Sequence, residues 1–178
     1  MNRQRILSIS FSPLATDARV QRQLRSLASH GQVTSVGYGP APVIVQNHIE
    51  VPASAASLPQ TVSGVTRLGF HLHKSVELKS PGERAVLDAV DATDNWDLVV
   101  ANDARAIPLA FRAARGAPVW VDLHEWAPEE NATSLPWRTL VGPYMDHLCR
   151  RYLSDAAAIT TVGNEIAELY SQRYGIPK

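Results

Sequence analysis

Asp122, His124 and Glu125 stand together where a short apolar run stops, and Pro128 closes the stretch. An imidazole flanked by carboxylates can pass a proton, bind a metal, or donate to a developing negative charge. Burial and neighbouring charge tune such clustered groups, so they mark a candidate site. If the strand continues that far, Asp122 and His124 share one face, and Asp122 orients the imidazole or fixes the loop rather than acting as a nucleophile. Glu125, Glu129 and Glu130 with Asp103 offer carboxylates to a divalent ion, but no spacing among them is specific to a metal. A solvated acidic rim, with no metal and no cofactor, is the expectation. A second cluster lies near the start of the chain, where Ser10, Ser12 and Thr16 with Asp17 and Arg19 surround a strand-to-helix turn. Hydroxyls and helix-start N–H groups suit a phosphate, and they suit turn formation and capping equally well. Arg67, His71, His73, Lys74 and Lys79 make residues 67–79 basic and half apolar. That stretch could meet an anionic acceptor or lipid headgroups, or simply be a solvated basic surface. His147 and Cys149 are too close along a helix to pair, and Cys149 reads as core filling.

These residues need a scaffold, and the periodicities supply one. Residues 5–11 read as a strand, broken by a turn that Thr16 or Asp17 can cap. A helix follows to about residue 29, with Val20, Leu24 and Leu27 on its apolar stripe and Arg19, Arg22 and Arg25 away from it. Gly31 fits the helix C-cap, and residues 33–36 form a second strand. Residues 43–45 and 48–51 read as short edge strands, 53–63 as a loop, and 81–93 as a helix opened by Pro81. Strands at 97–101, 118–123 and 157–162 then alternate with helices at 104–115, 136–153 and 164–174. The fold class is α/β: a doubly wound, mainly parallel sheet with helices on both faces. Site residues are expected at the carboxyl ends of its strands.

With 178 residues the chain fits one domain, and its balanced charge gives no push toward nucleic acid. The balance hides an asymmetry: eight Lys/Arg against three Asp/Glu in residues 1–80, then nine against fourteen in 81–178. One cysteine excludes an intrachain disulfide and a cysteine-based zinc site. With no signal-like or membrane-spanning run, the expected location is cytoplasmic, with the inner face of the membrane as an alternative. The first turn lacks the glycines of a dinucleotide fingerprint and no Walker loop is present, so NAD or FAD binding is not expected. The absence of a Gly-x-Ser-x-Gly elbow argues against a hydrolase.

Four stretches together resemble the N-terminal half of a retaining glycosyltransferase of the GT-B fold, family 4 type. They are residues 6–20, residues 33–40, residues 121–130 (Val-Asp-Leu-His-Glu-Trp-Ala-Pro-Glu-Glu) and residues 157–166, with Tyr174-Gly-Ile-Pro177 after them. The resemblance implies a Rossmann-like, acceptor-side domain spanning 1–178, whose C-terminal donor-binding domain is absent from this sequence. It implies a UDP- or GDP-linked sugar as donor, a sugar or lipid-linked acceptor, and little activity from this half alone. His124 matches the histidine near the donor sugar, and Ser12, Thr16, Asp17 and Arg19 match the segment facing its phosphates. Asn102, Asp103, Asp122, Glu125, Thr161 and Asn164 would line the same cleft. Peripheral membrane contact through 67–79 and a homodimer are further expectations. The competing reading is a standalone binding or partner-docking module without catalysis.

Overall fold

A computed structural model describes residues 3–93 and 95–177. Among these, six strands form one sheet in the order β3-β2-β1-β4-β5-β6, every neighbouring pair parallel. The strands are β1 (Gln4–Pro13), β2 (Gly31–Tyr38), β3 (Asn47–Val51), β4 (Leu98–Asn102), β5 (Val119–Leu123) and β6 (Ala158–Thr161). The helices are α1 (Ala18–His30), α2 (Val62–Gly69), α3 (Pro81–Asp91), α4 (Ile107–Ala114), α5 (Gly142–Tyr152) and α6 (Asn164–Tyr174). Strand order reverses between β1 and β4, so the switch point at their carboxyl ends is where a ligand crevice opens.

Alternation along the strands sorts the side chains onto two unequal faces. Leu7, Ile9, Val99, Ala101, Val121 and Leu123 face the larger core, closed by residues of α3 to α6 such as Val86, Ile107, Leu148 and Tyr170. Ile6, Val33 and Val100 face α1, which covers them with Val20, Leu24 and Leu27. Asp122 follows the α1 side of this alternation, two residues after Trp120. That places a carboxylate under a helix.

Several boundaries differ from the sequence expectation for local reasons. Residues 43–45 are a turn rather than a strand, and α2 occupies part of the expected 53–63 loop. The expected helix 136–153 divides into a π-helical turn (Trp137–Val141), α5 and a short 3-10 turn. At Gly142 an added Cβ would come within 2.6 Å of the Pro128 carbonyl oxygen, which explains why the smallest residue stands at that junction. Gly31 does stand at the C-cap of α1, its amide donating to the Leu27 carbonyl. Its backbone is extended and opens β2, and the constraint is space, because a Cβ there would collide with the Gln4 carbonyl.

Candidate active site at the carboxyl edge of the sheet

Four strands end on the same rim and carry polar groups there. Neighbouring register aligns Ser10 with Asn102, Asn102 with Asp122, and Asp122 with Thr160. Asp122 is the centre of the group, with its side chain only 6% exposed. Arg19 grips it with two nitrogens at 2.6 and 3.2 Å, Thr160 donates to it at 2.6 Å, and the Gln23 amide donates at 3.1 Å. Burial by itself would raise the Asp122 pKa, but the contacts to His124, Arg19 and Thr160 outweigh it and hold the group down at about 2. The carboxylate is therefore ionised across the working range.

His124 follows directly on β5, its ring held between two carboxylates. Nε2 lies 3.4 Å from Asp122 Oδ2 and Nδ1 lies 3.5 Å from Asp103 Oδ2, with the side chain 17% exposed. The Nε2 atom is buried and makes no well-directed hydrogen bond. Burial pulls the His124 pKa down, yet Asp122 and Asp103 together outweigh it and raise the pKa above the ordinary imidazole value, which favours the imidazolium. An imidazolium suits stabilising negative charge better than abstracting a proton.

Asp103 completes the arrangement. Its backbone sits at φ 69°, ψ 162°, a region that only glycine enters without strain. The Asp103 amide donates to the Asp122 carbonyl, and Asp103 Oδ1 accepts from the His124 amide at 3.1 Å. Burial raises the Asp103 pKa, opposed chiefly by His124. With its side chain 34% exposed, Asp103 is the more open member of the pair. Beside it, Asn102 donates to Ser8 and to the Ile9 carbonyl while its buried Oδ1 has no partner.

The other expected site residues are more dispersed. Asp17 caps α1 by accepting from the Arg19 and Val20 amides, and Ser12 donates to its second oxygen at 2.7 Å. The anion position at that helix start thus already holds a carboxylate. Thr16 is exposed and its hydroxyl donates back to the Pro13 carbonyl. Arg19, which the apolar stripe places on the solvent side, instead turns inward to Asp122. The Glu125 side chain is exposed, while its carbonyl accepts from the Tyr170 hydroxyl, which also receives the Ala127 amide. Tyr170 so fixes the loop after His124. Thr161 ends β6 with a buried, unpartnered Oγ1, and Asn164 opens α6 exposed. Among the described residues no group of three His, Cys, Asp or Glu is placed to hold a metal ion.

Gln23, Thr160 and Tyr170 are participants that sequence reasoning missed. Gln23 had a visible signal: it lies four residues after Arg19, so both reach the same side of α1. Thr160 and Tyr170 had none, since only strand register and helix docking bring them in.

A family model described as "Glycosyl transferase 4-like domain" matches residues 16–178. No curated protein sequence matches the chain significantly. Among solved structures, sucrose-phosphate synthase from Thermosynechococcus elongatus superposes with a TM-score of 0.60 at 18% identity, covering 97% of this chain and 45% of that one. A second, shorter chain of that enzyme gives a TM-score of 0.50 at 13% identity, with 96% and 82% covered. At these identities the likeness is one of fold. The chain spans less than half the length of the first of these structures.

Proposed function

Because the chain belongs to the glycosyl transferase 4-like domain family, we propose that it forms the acceptor-side wall of a cleft in which a sugar passes from a nucleotide diphosphate to an acceptor hydroxyl. The observation that carries this reading is the imidazole of His124 at the carboxyl edge, held between Asp103 and Asp122, whose carboxylates favour its protonated form. In the transfer, the bond from the anomeric carbon to the leaving phosphate oxygen breaks and one to the acceptor oxygen forms. The acceptor proton leaves with the departing diphosphate. Transfer on the same face retains configuration. A fixed positive charge near the anomeric centre stabilises the departing anion, and it acts most strongly where water is excluded.

The open rim described above is one wall only, and a second, donor-binding domain would complete it. The expected contact of Ser12, Thr16, Asp17 and Arg19 with donor phosphates takes a narrower form in this reading. The Asp17 carboxylate, the Arg19–Asp122 pair and the protons of the Ser12 and Thr16 hydroxyls are already committed, so a phosphate would meet these two hydroxyls only after they turn from Asp17 and the Pro13 carbonyl. The main phosphate grip then belongs to the opposite wall, and this half alone is nearly inert.

The test is a transfer assay on the whole protein that carries this domain, with UDP- and GDP-sugars and a panel of acceptors. Product configuration is read by the anomeric proton coupling. Sugar transfer with retained configuration supports the reading; an inverted product, or no consumption of any nucleotide sugar, refutes it.

A further inference from the structure

Among the described residues, Gln23 is the one polar side chain that α1 buries, and it stands in line with Val20, Leu24 and Leu27. Its amide nitrogen donates to Asp122 Oδ2 at 3.1 Å, while its Oε1 is buried without a partner. Turning the amide over would set Oε1 against the carboxylate oxygen, acceptor against acceptor, so the unpaired atom goes with the position. A buried acceptor left unpaired costs stability, and an apolar side chain of similar shape would avoid that cost. Such a cost points to a task at Asp122.

A carboxylate offers about four lone-pair directions. At Asp122 all are taken. Oδ1 accepts from Arg19 Nη2 and from the Thr160 hydroxyl, each at 2.6 Å, and Oδ2 accepts from Arg19 Nε at 3.2 Å and from Gln23. Thr160 in turn accepts from the Trp120 indole, which keeps its hydroxyl proton on Asp122. His124 Nε2 comes to 3.4 Å from Oδ2 and finds no direction left, which accounts for its lack of a well-directed bond. The imidazole therefore feels the charge of Asp122 without being tied to it, and its other nitrogen faces Asp103, the more open carboxylate. Arg19 also opposes a proton on His124 by its own charge. Two residues of α1 thus act on the ring from behind Asp122: Arg19 by charge and occupancy, Gln23 by occupancy alone.

We propose that Gln23 and Arg19 are positioning residues that fill the lone pairs of Asp122, so that the His124 ring stays unfastened from the buried carboxylate and its Nδ1 side is left to the rim. The occupancy stands on the geometry alone; what the ring then does for a departing diphosphate rests on the glycosyltransferase reading. The experiment is a proton NMR titration of His124 in the chain, without nucleotide sugar, for the parent, Gln23→Leu and Arg19→Lys. Gln23→Leu removes one occupant and no charge, and Arg19→Lys keeps the charge but gives up the two-point grip. In each, a lone pair falls free, Nε2 closes on Asp122, and the midpoint should rise above that of the parent. Asp103 is unchanged in both, as are Arg105 and Glu130, paired with each other beyond it, so the change reports Asp122. A merely structural role would give the opposite sign, because a loosened ring drifts down toward the ordinary value of about 6.5. The melting temperature of Gln23→Leu should hold or rise, since the unpaired acceptor is removed with the amide. In the whole protein, the alkaline limb of the transfer rate should move up in step with the midpoint, with KM for the nucleotide sugar unchanged within about twofold. A midpoint that fails to rise in either variant overturns the proposal. A rise in both without any sugar transfer supports it and defeats the glycosyltransferase reading instead.

Discussion

Asp122 serves Arg19, Gln23, Thr160 and His124 at once, so its removal strands a partly buried guanidinium and loosens the imidazole. Asp122→Ala should cost about 3 kcal/mol in urea unfolding. Ionisation gives two windows. The stabilisation that Asp122 receives is present above its ordinary range and is lost as pH falls from about 4 toward about 2. That from a protonated His124 is complete below 6.5 and is lost as pH rises through the higher folded value. A proton NMR titration should therefore find the His124 midpoint above 6.5 and see it fall in Asp103→Asn. Asp103→Gly relieves a backbone that glycine adopts freely but removes the carboxylate, so stability should stay within about 1 kcal/mol while transfer falls about tenfold or more. A purely structural Asp103 would leave transfer intact. His124 and Asp122 were legible because two titratable groups follow an apolar run. The Arg19–Asp122 pair was not, since its members lie 103 residues apart and the helical stripe pointed Arg19 outward.

At the scale of the elements, α3 opens with a capping box in which Ser80 and Glu83 bond reciprocally, and Glu83 is 2% exposed. Burial drives its carboxyl up to about 7 against the bonds from Ser80. Because the folded value lies above the unfolded one, the native state holds this proton longer. Stability from this group is then fully present below about 4.5 and declines as pH rises through 7. Glu83→Gln keeps an acceptor for Ser80 and cannot ionise. It should match the parent near pH 4.5 and exceed it by about 1–3 kcal/mol at pH 8, measured by thermal or urea unfolding. A loss at both pH values would contradict this. The Pro81 start was readable from its chemistry, as were α1 and α6, which have capping residues or clear period. The segment 41–80 was not: its small, polar and Pro-punctuated residues fit several conformations, and α2 is held by Leu68 packing and the Thr61 cap rather than by a long apolar stripe. The π-helical turn before α5 escaped for a similar reason, its register being set by the close approach of Gly142 to the Pro128 carbonyl.

For the whole molecule, alternation of strand and helix was enough to foresee a parallel sheet, because crossover connections leave few other ways to bury both faces. What alternation cannot give is how unequal those faces are. The α1 side carries the buried polar network of Ser8, Asn102, Asp122 and Gln23, and the opposite side carries most of the hydrocarbon. The apolar side therefore secures the fold, and the polar side orients the rim that would face a donor. The central claim is that His124 serves chemistry rather than packing, and the most direct measurement is the single-turnover rate of sugar transfer by the whole protein with His124→Ala, alongside its melting temperature. The rate should fall about a hundredfold or more while the melting temperature shifts by only a few degrees. A His124→Ala protein that transfers sugar at the parental rate, or one that loses rate only because it unfolds, would contradict the account.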